Sequence, residues 1–157
     1  MTRTRTSILV AALAAGVLAV PSTAAADKTF KGKTAQNRSV SLTTGDDNVL
    51  HVLRINWLTR KCAQSGSRFQ HITSFKPPFD SATPDAFNDA GSFTVADRGA
   101  IRSRVRMTLT GQHVFDPANP AGEAWNGTLK ASVTVRRRGK VIDRCSLRQI
   151  TWNATLG

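Results

Sequence analysis

The sequence predicts an all-β fold: an antiparallel β-sandwich or small β-barrel of about eight strands with one disulfide. Three observations predict it. Residues 101–114 and 125–136 alternate between apolar or small side chains and polar ones, the period of a half-buried strand. Similar short runs recur along the chain, separated by Gly, Pro, Asn and Asp, while helical periodicity is missing after residue 26. Two cysteines, Cys62 and Cys145, remain to staple a small domain.

The N-terminus reads as an export signal. Arg3 and Arg5 precede an apolar run, Ile8 to Val20, of 13 residues. A helix needs about 20 residues to span a bilayer core, so this run is short for an anchor. Pro21 breaks it, and Ala24 and Ala26 meet the small-x-small rule for signal peptidase. The expectation is a signal peptide, 1–26, cleaved near Ala26-Asp27, and a secreted, extracellular domain, 27–157. No later segment is apolar enough to cross a membrane as a helix. In an oxidising compartment two cysteines imply a Cys62–Cys145 bridge. It closes a loop of about 84 residues, worth on the order of 4 kcal/mol in the chain-entropy account.

The strands follow in order. Lys28 to Thr34 is a short first strand centred on Phe30, and Asn37 to Thr43 alternates around Val40 and Leu42. Thr44 to Asn48 is a turn. Val49 to Lys61 carries two apolar sets out of phase, Leu50 with Val52 and Leu53 with Ile55 and Trp57, so a bulge or a change of sheet is expected near Val52. Arg68 to Phe75 is the next strand. Lys76 to Ala90 holds Pro77, Pro78 and Pro84 with three aspartates and reads as a long loop, a type often functional. Gly91 to Ala96 is a strand and Asp97-Arg98-Gly99 a turn.

In 101–114, Ile101, Ser103, Val105, Met107, Leu109 and Gly111 share the inward phase. Phe115 to Ala124 is a loop. In 125–136, Gly127, Leu129, Ala131, Val133 and Val135 point inward, and 137–140 is a hairpin turn with Gly139 available for positive φ. Val141 to Leu147 and Gln149 to Ala154 complete the domain. Gly111 and Gly127 inside good strands imply bends or a close approach of other groups.

Several of these residues form an ordered set. Phe30 to Gln36 gives F-x-G-x-T-x-Q, Trp57 precedes Cys62 by five, and Gly91-Ser92-Phe93 gives G-x-F. Gly111 is followed by Gly127-Thr128-Leu129, and Cys145 precedes Trp152 by seven. In this order the chain resembles small secreted all-β proteins common in actinobacteria, most without an assigned function. The resemblance covers nearly the whole of 27–157. It implies a sandwich or barrel with the Cys62–Cys145 bridge, and it brings no catalytic residues.

Charge supplies the functional lead. Residues 27–157 hold 20 basic and 10 acidic side chains, a net charge of +10. The excess is polarised: 100–157 has 10 basic and 3 acidic residues, against 10 and 7 in 27–99. Arg102, Arg104 and Arg106 project from one side of one strand. If 101–114 and 125–136 form a hairpin, Lys130 and Arg136 share that face, and Arg137, Arg138 and Lys140 crown the next turn. Such a field concentrates polyanions and weakens with salt. The alternative is a solvated face kept for solubility and against edge pairing. Interleaved outward aromatics are missing, which disfavours sequence-specific nucleic-acid reading.

Other chemistry finds no pattern. His51, His71 and His113 are scattered without zinc-ligand spacing and read as strand-end or surface residues. Asp80, Asp85 and Asp89 lack the order of a calcium loop. No paired general acid and base and no nucleophile motif is legible, so a non-enzymatic domain without cofactor or metal is expected. Trp57 and Trp152 read as core beside the disulfide, and Trp125 as a candidate contact residue. The first functional reading is binding of anionic envelope or extracellular polymers. The alternatives are a barrel carrying a small ligand, or an inhibitor or interaction protein presenting the 76–90 loop. Oligomeric state is not legible.

Overall fold

The computed structural model describes residues 27–45, 47–96, 99–115 and 122–157. The expected signal peptide, Asp97-Arg98 of the expected turn and most of the 115–124 loop lie outside these residues. The described chain is all-β, with nine strands: β1 (Lys28–Thr34), β2 (Ser39–Thr44), β3 (Leu50–Leu58), β4 (Gln70–Phe75), β5 (Ser81–Thr83), β6 (Ala86–Ala96), β7 (Ile101–Val114), β8 (Ala124–Arg137) and β9 (Lys140–Leu156). They form one antiparallel sheet in the order β4-β3-β2-β1-β9-β8-β7-β6-β5. Only the β1–β9 pairing joins strands distant in sequence; every other neighbour is a hairpin partner. Among the described residues no helix is long and apolar enough to cross a membrane.

The sheet solves its burial problem by curling. Its inner face carries Phe30, Val40, Leu42, Leu53, Ile55 and Trp57 from one arm and Val105, Leu109, Leu129, Val133 and Leu147 from the other, all in one core. The result is a half-barrel rather than two stacked sheets. Side chains bridge the seam between the arms: His71 of β4 and Phe93 of β6 lie with ring centroids 5.3 Å apart. Burial of His71 at this seam lowers its pKa from the ordinary histidine value.

The segment after β3 completes the curl. Leu58 exchanges two hydrogen bonds with the Gln36 side chain, whose amide donates to Leu58 O at 2.7 Å and accepts from Leu58 N at 3.1 Å. A glutamine at the β1–β2 turn therefore substitutes for a strand partner. The chain then reaches β9, where Arg60 N donates to Ser146 O at 2.9 Å and Ala63 N to Arg144 O at 2.8 Å. The expected Cys62–Cys145 disulfide forms between these two contacts.

Four local expectations change. The segment 76–90 is not one loop: Ser81–Thr83 pairs with Ala86–Asn88, so Pro84 and Asp85 make a two-residue turn and β6 begins five residues before Gly91. The prolines concealed this hairpin because only the turn and the preceding stretch need them. The expected strands 141–147 and 149–154 are one strand, β9, with an irregularity where Lys130 alone faces both Arg148 and Gln149. Val49–Lys61 is shortened to β3, and its expected bulge falls at His51, between the pairs Thr44–Leu50 and Thr43–Val52. That extra residue lets both Leu50 and Leu53 face the core. Trp125, expected at a contact surface, is 1 % exposed, because it shares the inward phase of Leu129, Ala131 and Val133 and lies inside the curl.

Gly111 and Gly127 permit a close approach. Phe87, Gly111, Gly127 and Trp152 stand in one cross-strand row. A Cβ on Gly111 would fall 2.1 Å from the Phe87 ring, and one on Gly127 would fall 2.0 Å from Thr110 O and 2.5 Å from the Trp152 indole. The two aromatic rings thus lie over backbone that only glycine leaves open.

Candidate polyanion-binding face

The outer face of β7–β9 carries the basic residues because the period-2 pleat sends every second side chain outward. Arg102, Arg104 and Arg106 are exposed on β7 while Ser103, Val105 and Met107 are buried between them. The register aligns Arg102 with Arg136, Arg104 with Thr134, Arg106 with Ser132 and Thr108 with Lys130. The hairpin expected from the sequence therefore brings Arg102, Arg104, Arg106, Lys130 and Arg136 to one face.

Arg137, Arg138 and Lys140 stand apart, at the β8–β9 hairpin. Arg137 pairs with Ile101 and falls in the phase of Val133 and Val135. Arg138 and Gly139 are the turn residues, with φ of 48° and 82°. This is the left-handed geometry of a tight hairpin, which glycine adopts freely and arginine does not. Arg136 is held there by a 2.9 Å bond from Nη1 to Gly139 O.

Two face residues escaped the sequence reading. Arg144 pairs with Thr134, and Arg148 lies at the bulge beside Lys130, both exposed on β9. The alternation of Asp143, Cys145 and Leu147 against Arg144, Ser146 and Arg148 carries the signal, but dividing β9 at Arg148 hid it. The acids within β6–β9 are Asp89 and Asp143, and both occupy the inward phase. Among the described residues no carboxylate pairs with Arg104, Arg106, Lys130, Arg144 or Arg148. Between Arg106, Lys130 and Arg148 the face dips into a depression of about 430 Å³, also lined by Thr108, Ser132 and Ser146.

Asp143 points inward and has a different task. Its carboxylate accepts from Ser65 Oγ at 2.5 Å, Gln64 N at 2.9 Å, Ser65 N at 3.1 Å and Arg144 N at 2.8 Å. The Ser65 hydroxyl, followed by the Gln64 amide, lowers its pKa to about 2. Asp143, Cys62 and Cys145 lie close enough together to suggest a metal cluster, but both sulfurs are committed to the disulfide.

A second polar group lies at the end of the half-barrel where β1 starts and β7 ends. His113, expected at the surface, is buried: its side chain is 1 % exposed and its Nε2 lies 2.9 Å from Glu123 Oε1. Glu123 is also buried and receives Lys28 Nζ at 3.1 Å. Asp85 approaches the other ring nitrogen of His113 at 3.5 Å, and the Trp125 ring lies 5.1 Å away. His113 continues the inward series of 101–111 by one more step, which is the signal for its burial. Glu123 carries no sequence pattern. The cluster is closed to solvent around His113, so its visible effect is to pin β1, β7 and β8 together. His51 is exposed and pairs with Asp27 at 3.3 Å.

Comparison of the chain with protein-family models, curated proteins and solved structures finds no match.

Proposed function

We propose that the protein is a secreted, non-enzymatic β-domain that holds anionic envelope or extracellular polymers on the outer face of β7–β9. One observation carries this reading. Seven basic side chains, Arg102, Arg104, Arg106, Lys130, Arg136, Arg144 and Arg148, share that face, and no acid of these strands faces the same way. A face kept only for solubility would mix signs, because unbroken like charge costs stability. An anionic polymer removes that cost when it binds.

The filled interior supports a surface partner over a ligand carried inside. Trp57, Trp125, Phe30, Leu42, Leu53 and Ile55 occupy the curl and are fully buried. The inhibitor reading is less favoured, since Phe87 of 76–90 is buried in the core with its ring centroid 5.7 Å from that of Trp125. Secretion accords with the disulfide.

Salt-dependent retention on immobilised heparin tests the proposal. The mature protein should elute late, and an Arg102→Ser/Arg104→Ser/Arg106→Ser variant should elute at much lower salt. Equal elution of the two would sink the proposal.

A further inference from the structure

The depression on the basic face has features that a merely charged surface does not need. Its position follows from the register. Arg106, Ser132 and Ser146 stand side by side across β7, β8 and β9, and the next row is Thr108, Lys130 and the bulged pair Arg148-Gln149. On the other side the flanking row is Arg104, Thr134 and Arg144. Two serines, the smallest outward side chains of the region, thus lie between longer cationic ones, and Met107, Ala131 and Leu147 complete an otherwise apolar lining. The bulge matters because regular pairing would place one β9 residue opposite Lys130. Here two are present and both are exposed, which adds the Gln149 amide to the Arg148 guanidinium at one edge.

This is the inventory that a tetrahedral oxyanion requires. Arginine and lysine supply charge-assisted donors, arginine in a planar fork that matches two phosphate oxygens. The hydroxyls of Ser132, Ser146 and Thr108 supply short neutral donors for the remaining oxygens. No acid of β6–β9 shares the face to compete for them. The depression, about 430 Å³ and open to solvent, leaves room for carbon on both sides of a bound phosphate.

We infer that the depression bounded by Arg106, Lys130 and Arg148, with Ser132 and Ser146 between them, is a seat for one phosphate group of a phosphodiester-linked polymer. The inference rests on the polyanion reading of the face and narrows it to a chemical class. A linear polymer suits the layout, because the cations of β7 recur every second residue, about 7 Å apart, and lead away from the seat. A bilayer suits it less. Exposed Val141 and Ile142 lie towards the hairpin tip and Val114 and Phe115 at the opposite strand end, none of them beside the seat.

The test is a titration of the mature protein with inorganic phosphate at low ionic strength, read by amide chemical shifts. Shifts should concentrate at 106–108, 130–132 and 146–149 and saturate together, with a potassium chloride titration giving none of that pattern. A Ser132→Ala/Ser146→Ala variant should weaken phosphate at least fivefold while eluting from heparin near the parent salt concentration. An Arg148→Gln variant, folded by its amide spectrum, should weaken it similarly. Shifts spread evenly over the Arg102, Arg104 and Arg136 region, or unchanged affinity in the serine variant, would overturn the seat and leave the polyanion proposal standing. Phosphate bound at the seat by a protein that heparin does not retain would do the reverse. Polyphosphate should compete with inorganic phosphate better than polygalacturonate does. Stronger competition by phosphatidylglycerol vesicles at equal total phosphate would overturn the polymer assignment.

Discussion

Arg104 and Arg144 stand on either side of Thr134, one strand removed from each other across β8. Two strand spacings place their backbones about 9.6 Å apart, close to the roughly 10 Å Debye length at 0.1 M salt. Their repulsion is therefore felt at low salt and screened at high salt. Arg144→Gln should raise stability to urea by about 0.3 kcal/mol in dilute buffer. The gain should vanish at about 0.5 M salt. A gain independent of salt would assign the effect to packing rather than charge.

The carboxylate of Asp143 gives the fold an acid limit. Its folded pKa, held at about 2 by the Ser65 hydroxyl and the Gln64 amide, lies below the ordinary 3.8 of the unfolded chain. The unfolded state binds the proton first, so the stabilisation is complete above about pH 5 and is lost as pH falls towards 2. Asp143→Asn should flatten the pH dependence of stability in that window and lower stability at neutral pH. Urea midpoints measured from pH 2 to pH 6 on both proteins decide it; an unchanged slope in the variant would exclude this role.

Removal of Glu123 should be severe. Glu123 lies between His113 and Lys28 with its side chain 4 % exposed, so its loss leaves the buried His113 ring without that hydrogen-bond partner and breaks the Lys28 ion pair. Glu123→Ala should cost about 3 kcal/mol in chemical unfolding. Glu123→Gln, which keeps the shape and one acceptor, should cost less. A loss below about 1 kcal/mol for the alanine variant would show that the cluster does not pin the strands.

Gly127→Ala tests the aromatic row. The added Cβ has no room between Thr110 O and the Trp152 indole, and one of those neighbours is backbone. The sheet must open or Trp152 must leave its place, at a cost of about 2 kcal/mol. Tryptophan fluorescence should shift with it. Gly91→Ala, where nothing stands within 4 Å of the new carbon, is the matched control and should be near neutral.

These outcomes separate what the sequence made legible from what it hid. Alternation exposed β7 and β8 because each has one wet and one buried face, and two cysteines permit one internal bridge. The pairing of β1 with β9 was not legible, since any strand of suitable length could close the curl and nothing in Phe30 or Trp152 names its partner. The β5–β6 hairpin was obscured because prolines in 77–84 outweighed a three-residue strand. On the face, Arg102 to Arg106 were evident from one strand alone. Arg144 and Arg148 needed the register of β9, and that register depends on a bulge whose only trace is a phase change. His113 was legible by parity, but its partner Glu123 comes from outside any alternating run.

The most direct test of the account is the salt dependence of binding to a phosphodiester probe, single-stranded DNA of mixed sequence. Four to seven contacts give a slope of log K against log salt of about −3 to −5. An Arg104→Gln/Arg106→Gln/Arg148→Gln variant should lose about 2 units of that slope along with most of the affinity. A slope near zero in the parent protein, or an unchanged slope in the variant, would contradict the claim that the outer face of β7–β9 is where this protein meets its partner.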